Sequence, residues 1–161
     1  MADPLPEWVA PYVRGIADQV GLKDWTILCE RGDREEGIVA STEVIYGRRL
    51  AYIRFRPPFF ETENPQEQRN TVAHELLHCH VDPVRAAFDD GVRDSEMLTP
   101  AVYNATWNGM RRAAEMAVDG IASAIDKFFP LPPATACSPA VRSAGDASGS
   151  PGAEVTDAPA E

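Results

Sequence analysis

The sequence predicts an α+β domain, with a short N-terminal helix and a small mixed sheet packed on two long helices. Three observations predict it. Apolar residues recur at helical spacing from Glu7 to Val20, at Trp8, Val9, Tyr12, Val13, Ile16 and Val20. Three β-rich runs follow, the last alternating well. Two long helical stretches then begin, each with a polar cap followed by proline.

Taken in order, the first helix stops at Gly21, and Trp25 to Glu30 reads as a strand closed by the turn Arg31-Gly32-Asp33. Gly37 to Tyr46 and Leu50 to Phe55 flank Gly47-Arg48-Arg49, which predicts a hairpin. The second run puts Leu50, Tyr52 and Arg54 on one face and Ala51, Ile53 and Phe55 on the other. Asn64, Pro65 and Glu67 form the start of the first long helix, cap, first position and capping-box partner in turn. It is expected to end near Val81, because Asp82 precedes Pro83 and proline disfavours helical geometry in the residue before it. The acidic stretch from Asp82 to Leu98 has no clear element. Thr99-Pro100 opens the second long helix, which runs to about Phe128, with Gly109 as a place for a bend. The folded domain is expected over residues 1–129. Residues 130–161, rich in Pro, Ala, Ser and Gly and lacking aromatics, read as a disordered tail that cannot bury enough apolar surface to offset its ordering entropy.

Composition excludes several classes. A net charge of −10 leaves no basic face to neutralise phosphates, so no nucleic-acid partner is expected. No run of about 18 apolar residues exists, so no membrane span is expected. The start of the chain has neither a basic nor an apolar segment of a secretory signal. Cys29, Cys79 and Cys137 are odd in number and form no CxxC pair, which fits neither a disulfide framework nor a Cys-rich zinc finger. A soluble cytoplasmic protein is the expectation.

The chemistry lies in His74-Glu75-Leu76-Leu77-His78, an HExxH motif on the first long helix. One turn separates the histidines, so both imidazoles leave the same face and can share one metal ion. Glu75 sits about 100° round from His74, placed to take a proton from a metal-bound water and deliver it to a leaving amine. With His74 at zero, His78 falls at about 40° and Thr71 at about 60°, while Val72, Ala73, Leu76, Leu77 and Val81 fall between about 160° and 340°. His80 falls at about 240°, among the apolar residues, and is expected to point into the core or toward the helix end. Cys79 is expected as a small, partly buried residue. The competing reading makes His74, Glu75 and His78 a solvated polar stripe.

A catalytic zinc takes three protein ligands and keeps one position open. With His80 turned away, the third should be a carboxylate. Glu115 and Asp119 lie four residues apart on one face of the second long helix, beside an apolar stripe of Trp107, Met110, Ala114, Ala117, Val118, Ile121, Ile125 and Phe128. Packing that stripe on the first helix brings Glu115 to the histidines, with Asp119 free to accept a ring N–H. Asp82, Asp89, Asp90, Asp94 and Glu96 stay open as alternatives, and Glu115 could instead pair with Arg111 or Arg112.

These residues resemble the gluzincin metallopeptidases, with His74-Glu75-Leu76-Leu77-His78 followed by Glu115-Met116-Ala117-Val118-Asp119 as the ExxxD element. The chain looks like the minimal, minigluzincin version of the zincin fold, often encoded by phages and prophages. The resemblance spans Trp25 to Phe128 and rests on five motif residues. It implies Zn2+ held by His74, His78 and Glu115, Asp119 behind them, Glu75 as catalytic base, and an extended peptide or protein substrate. It also implies that the hairpin's outer strand, here Leu50 to Phe55, receives the peptide by strand addition. The metzincin pattern fails at Val81 and Val84, and SprT-like zincins fail because no histidine follows His80. ImmA-like repressor-cleaving peptidases are a close alternative. Tyr52, Tyr103, Arg111 and Arg112 are the candidate transition-state stabilisers. Two other classes compete with a peptidase: an inert zinc-binding regulatory protein of the same fold, and a metal-free structural domain.

Overall fold

The computed structural model describes residues 4–45, 47–94 and 98–134. Helix α1 (Val9–Gln19) is followed by β1 (Thr26–Arg31), β2 (Ala40–Ile45), β3 (Leu50–Phe55), the short α2 (Pro57–Glu61), α3 (Pro65–Asp94) and α4 (Pro100–Ile125), with a final 3-10 turn at Asp126–Phe128. The architecture is mixed α+β. Gly21, at φ 85°, ends α1 where an L side chain would be strained. Gly47 and Arg49, at φ 77° and 47°, turn β2 back into β3.

The sheet order is β1-β3-β2. β3 is central, parallel to β1 and antiparallel to β2. This corrects the expectation that Leu50 to Phe55 is an outer strand. A strand bonded on both sides has no main-chain groups left for a peptide, so strand addition can occur only at an outer strand, and β2 is the one beside α3. The alternation in β3 is as the sequence predicts, since Ala51, Ile53 and Phe55 are wholly buried. They join Val13 and Ile16 of α1, Phe59 of α2, Val72 and Leu76 of α3, and Val118 and Ala122 of α4 in one core.

Asn64 caps α3 as expected, its Oδ1 accepting from the Gln66 N–H at 3.1 Å. Glu67 instead accepts from the Asn64 side-chain amide at 2.9 Å and the Thr62 hydroxyl at 2.8 Å. The second correction concerns the other end. α3 does not stop before Pro83 but runs through it to Asp94. Interior proline costs about 3 kcal/mol because it deletes one helical bond and crowds the preceding turn. Here side-chain and tertiary contacts offset that cost. Asp82 reaches back to His78 and forward to Arg85, both at 3.3 Å, and the Arg85 guanidinium lies over the Trp107 ring of α4. The Asp89 carboxylate accepts from the Tyr103 hydroxyl of α4.

α4 starts at the predicted cap, with the Thr99 side chain accepting from the Val102 N–H, and continues through Gly109 without a break. Its packed face is rotated from the expected stripe. Val118 and Ala122 are buried and Ile125 packs on the core, whereas Ala117, Ile121 and Phe128 are exposed. The wide Ala-rich surface of this helix blurs its apolar period, so tertiary contacts choose the side. Residues 130–134 continue past the helix, with the Tyr12 hydroxyl donating to the Pro130 carbonyl at 2.8 Å. The rest of the expected tail, 135–161, lies outside the described residues, as do Cys137, Glu96 and the Asp94 side chain. Among the described residues, no helix is long and apolar enough to cross a membrane.

Candidate metal centre

α3 supplies both histidines from the face opposite its core side, where Val72, Ala73 and Leu76 are fully buried. α4 crosses beside it and brings in two carboxylates. The Nε2 atoms of His74 and His78 lie 3.2 Å apart. The Glu115 Oε2 is 3.7 Å from the first and 3.6 Å from the second. Metal–nitrogen bonds of about 2.0–2.1 Å at tetrahedral angles put donor atoms about 3.3 Å apart, so these three separations fit one ion. The group can hold a metal ion.

The outer nitrogens explain the polarity of this triangle. His74 Nδ1 donates to the Asp119 Oδ1 at 2.9 Å, and His78 Nδ1 faces the Asp82 Oδ1 at 3.3 Å. With N–H placed on each Nδ1 by its carboxylate partner, both Nε2 atoms present lone pairs. Two lone pairs and a carboxylate oxygen then converge with no hydrogen-bond donor between them. A cation at their centre would relieve that arrangement.

Asp119 thus lies against the outer nitrogen of His74, outside the donor triangle. Asp82 was an alternative ligand in the sequence reading, but it orients His78 from behind instead. Sequence spacing carried this signal: Asp82 is one turn beyond His78, and only the expected helix stop at Pro83 hid it. Asp89 is engaged with Tyr103, and Asp90 is exposed, so neither joins the donor group. His80 also departs from expectation. It is exposed, and its Nε2 lies 2.9 Å from the Val20 carbonyl at the end of α1. Cys79 is buried, which pushes its thiol up to about 12 and leaves it inert beside the site.

Glu75 is 5% exposed. Its Oε2 accepts from the Thr42 hydroxyl of β2 at 2.7 Å, a partner the sequence reading did not identify. Burial raises the Glu75 pKa above the usual carboxylate range, against the opposing pull of Thr42, His78 and His74. For His78, burial favours the neutral ring, but the Asp82 hydrogen bond and the charges of Asp82, Glu75 and Glu115 outweigh it, and the net shift is upward.

Both groups therefore bind protons more tightly folded than unfolded. Their contribution to stability is complete below the ordinary pKa values and is lost as pH rises through the raised ones. Metal-free protein should melt at a lower temperature at about pH 8 than at about pH 5, and thermal melts in chelator check this. A melting point that climbs over the same interval would contradict it. Metal binding runs the other way, because the ligands must be deprotonated.

Of the candidate transition-state stabilisers, Tyr52 shares the outer face of β3 with Arg54, away from α3. Tyr103 is bonded to Asp89, and Arg111 and Arg112 are exposed on α4. The cation that the fold does bring beside His78 is Arg85, through Asp82.

Two cavities flank the donor group along α3. One of about 520 Å³ involves Val39, Asn70, Thr71 and Ser123, on the N-terminal side of His74. The other, about 300 Å³, involves Thr42, Val44, Asp82, Arg85 and Trp107, beyond His78. Comparison with models of known protein families, with curated proteins and with solved structures finds no match to this chain. Fold and site together define a mixed α+β domain with a three-donor group that can hold a metal ion between its two long helices.

Proposed function

We propose that the protein is a zinc-dependent peptidase of the gluzincin type, acting on an extended peptide with Glu75 as general base. The observation that carries this reading is the convergence of two imidazole lone pairs and one carboxylate at tetrahedral spacing, next to a separate buried carboxylate. Two imidazoles, one carboxylate and an open fourth position make up a donor set used by catalytic zinc. When bound, zinc would supply Lewis acidity to polarise a scissile carbonyl and acidify a water.

The chain's own groups account for the rest. An extended peptide adds to the open edge of β2, with the flanking cavities receiving side chains on either side of the cleaved bond. Glu75 takes a proton as water oxygen bonds to the carbonyl carbon, then passes it to nitrogen as the C–N bond breaks. Asp119 and Asp82 keep the two imidazoles in the tautomer that leaves Nε2 free.

The test is direct. Protein loaded with zinc should carry about one ion per chain and cleave members of a diverse peptide library. Chelation should stop cleavage, and added zinc should restore it. Protein that binds zinc fully yet cleaves nothing would instead support an inert zinc-binding regulator of the same fold.

A further inference from the structure

We infer that Thr42 is the positioning residue for Glu75, holding the general base with its side chain while its main chain forms part of the substrate edge. The kinetic part of this inference rests on the peptidase reading; the structural part does not.

Side chains on β2 alternate, and the inward face carries Ala40, Thr42 and Val44. Ala40 and Val44 pack on the core, so the hydroxyl between them is the polar group on an otherwise apolar face. It points at the Glu75 residue twice, at 2.7 Å to the carboxylate Oε2 and 3.0 Å to the main-chain carbonyl. Both oxygens accept, so the single hydroxyl proton is held between them and the Thr42 side chain is fixed in one rotamer. A nearly buried carboxylate needs such a donor to stay in place, because an unmatched buried charge is costly.

The main chain of the same residue faces the other way. The Arg56 N–H donates to the Val39 carbonyl at 2.9 Å, which makes these two a hydrogen-bonded pair at the end of the β2–β3 ladder. Pairing alternates along an antiparallel ladder. Ser41 opposite Arg54 and Glu43 opposite Tyr52 therefore spend their main-chain groups on β3. Ala40, Thr42 and Val44 turn their N–H and C=O outward to the open edge. A peptide added there bonds to Thr42 and stiffens the residue that orients the base, so substrate docking and base alignment share one strand position.

Thr42→Val removes the donor while keeping a β-branched shape suited to the strand, and Thr42→Ser keeps the hydroxyl. Crystal structures of both metal-free variants should show the Glu75 carboxylate in a different rotamer in Thr42→Val and unmoved in Thr42→Ser. With zinc content unchanged, kcat should fall by about tenfold or more in Thr42→Val with KM within about threefold, and Thr42→Ser should stay close to wild type. Loss of packing alone would lower the melting temperature without separating kcat from KM. Glu75 unmoved in Thr42→Val, an undiminished kcat, or a serine variant as slow as the valine one would each overturn the inference. If wild-type protein cleaves no peptide, the peptidase reading falls, and the Glu75 rotamer alone decides the role of Thr42.

Discussion

Replacing Glu75 with Gln is expected to lower peptide hydrolysis by about a thousandfold while leaving zinc content unchanged. Glutamine has the same shape and can still accept the Thr42 hydrogen bond, but it cannot take a proton from water. Glu75 is also outside the donor triangle formed by His74, His78 and Glu115, so the ion should not notice the change. The same substitution replaces a carboxylate that burial disfavours in its charged form with a neutral amide. Metal-free Glu75→Gln should therefore melt at or above the wild-type temperature at neutral pH. Rate, elemental analysis and melting point together separate a lost base from a damaged fold. Wild-type turnover in this variant would remove Glu75 from the mechanism.

Glu115→Ala is expected to have the largest effect on metal binding. Changes to groups that merely orient a ligand cost about ten- to a hundredfold in affinity, so loss of a ligand itself should exceed about a hundredfold. Glu115 faces both Nε2 atoms, whereas Asp119 touches only the outer nitrogen of His74. Asp119→Asn should accordingly fall within the smaller range. Competition against a coloured chelator gives both affinities. The reverse order would make Asp119 the ligand and Glu115 a bystander.

Much of this site was legible in the sequence. The one-turn spacing of His74 and His78, the separate core face of their helix, and the Glu115–Asp119 pair all follow from helical periodicity. The caps at Asn64 and Thr99 were equally local, since each depends on a few neighbouring residues. His80 was rightly kept out of the donor group, but its exposed bond to Val20 depends on where α1 ends relative to α3. Reading Pro83 as a stop concealed thirteen further helical residues, 82–94, a stretch held to α4 by Arg85 over Trp107 and by Asp89 with Tyr103, contacts no local rule contains.

The strand order was the least legible feature. β1 and β3 are parallel partners separated in sequence by the whole of β2, and no periodicity within either strand announces that pairing. It places β3 at the centre and leaves β2 beside α3 with an open edge. Thr42 illustrates the same limit: its inward position follows from alternation, but the Glu75 carboxylate is 33 residues away in the chain.

By itself, then, the sequence determined the spacing of the candidate donors on each helix and the buried face of α3, because backbone geometry repeats over a few residues; it left open which carboxylate joins the histidines and which face α4 buries. Only the tertiary structure decided that Asp82 serves His78, that Thr42 holds Glu75 and that β2 is the open strand beside the site. Those outcomes depend on burying apolar surface from distant segments together, and that burial brings groups into contact whose sequence separation carries no local signal.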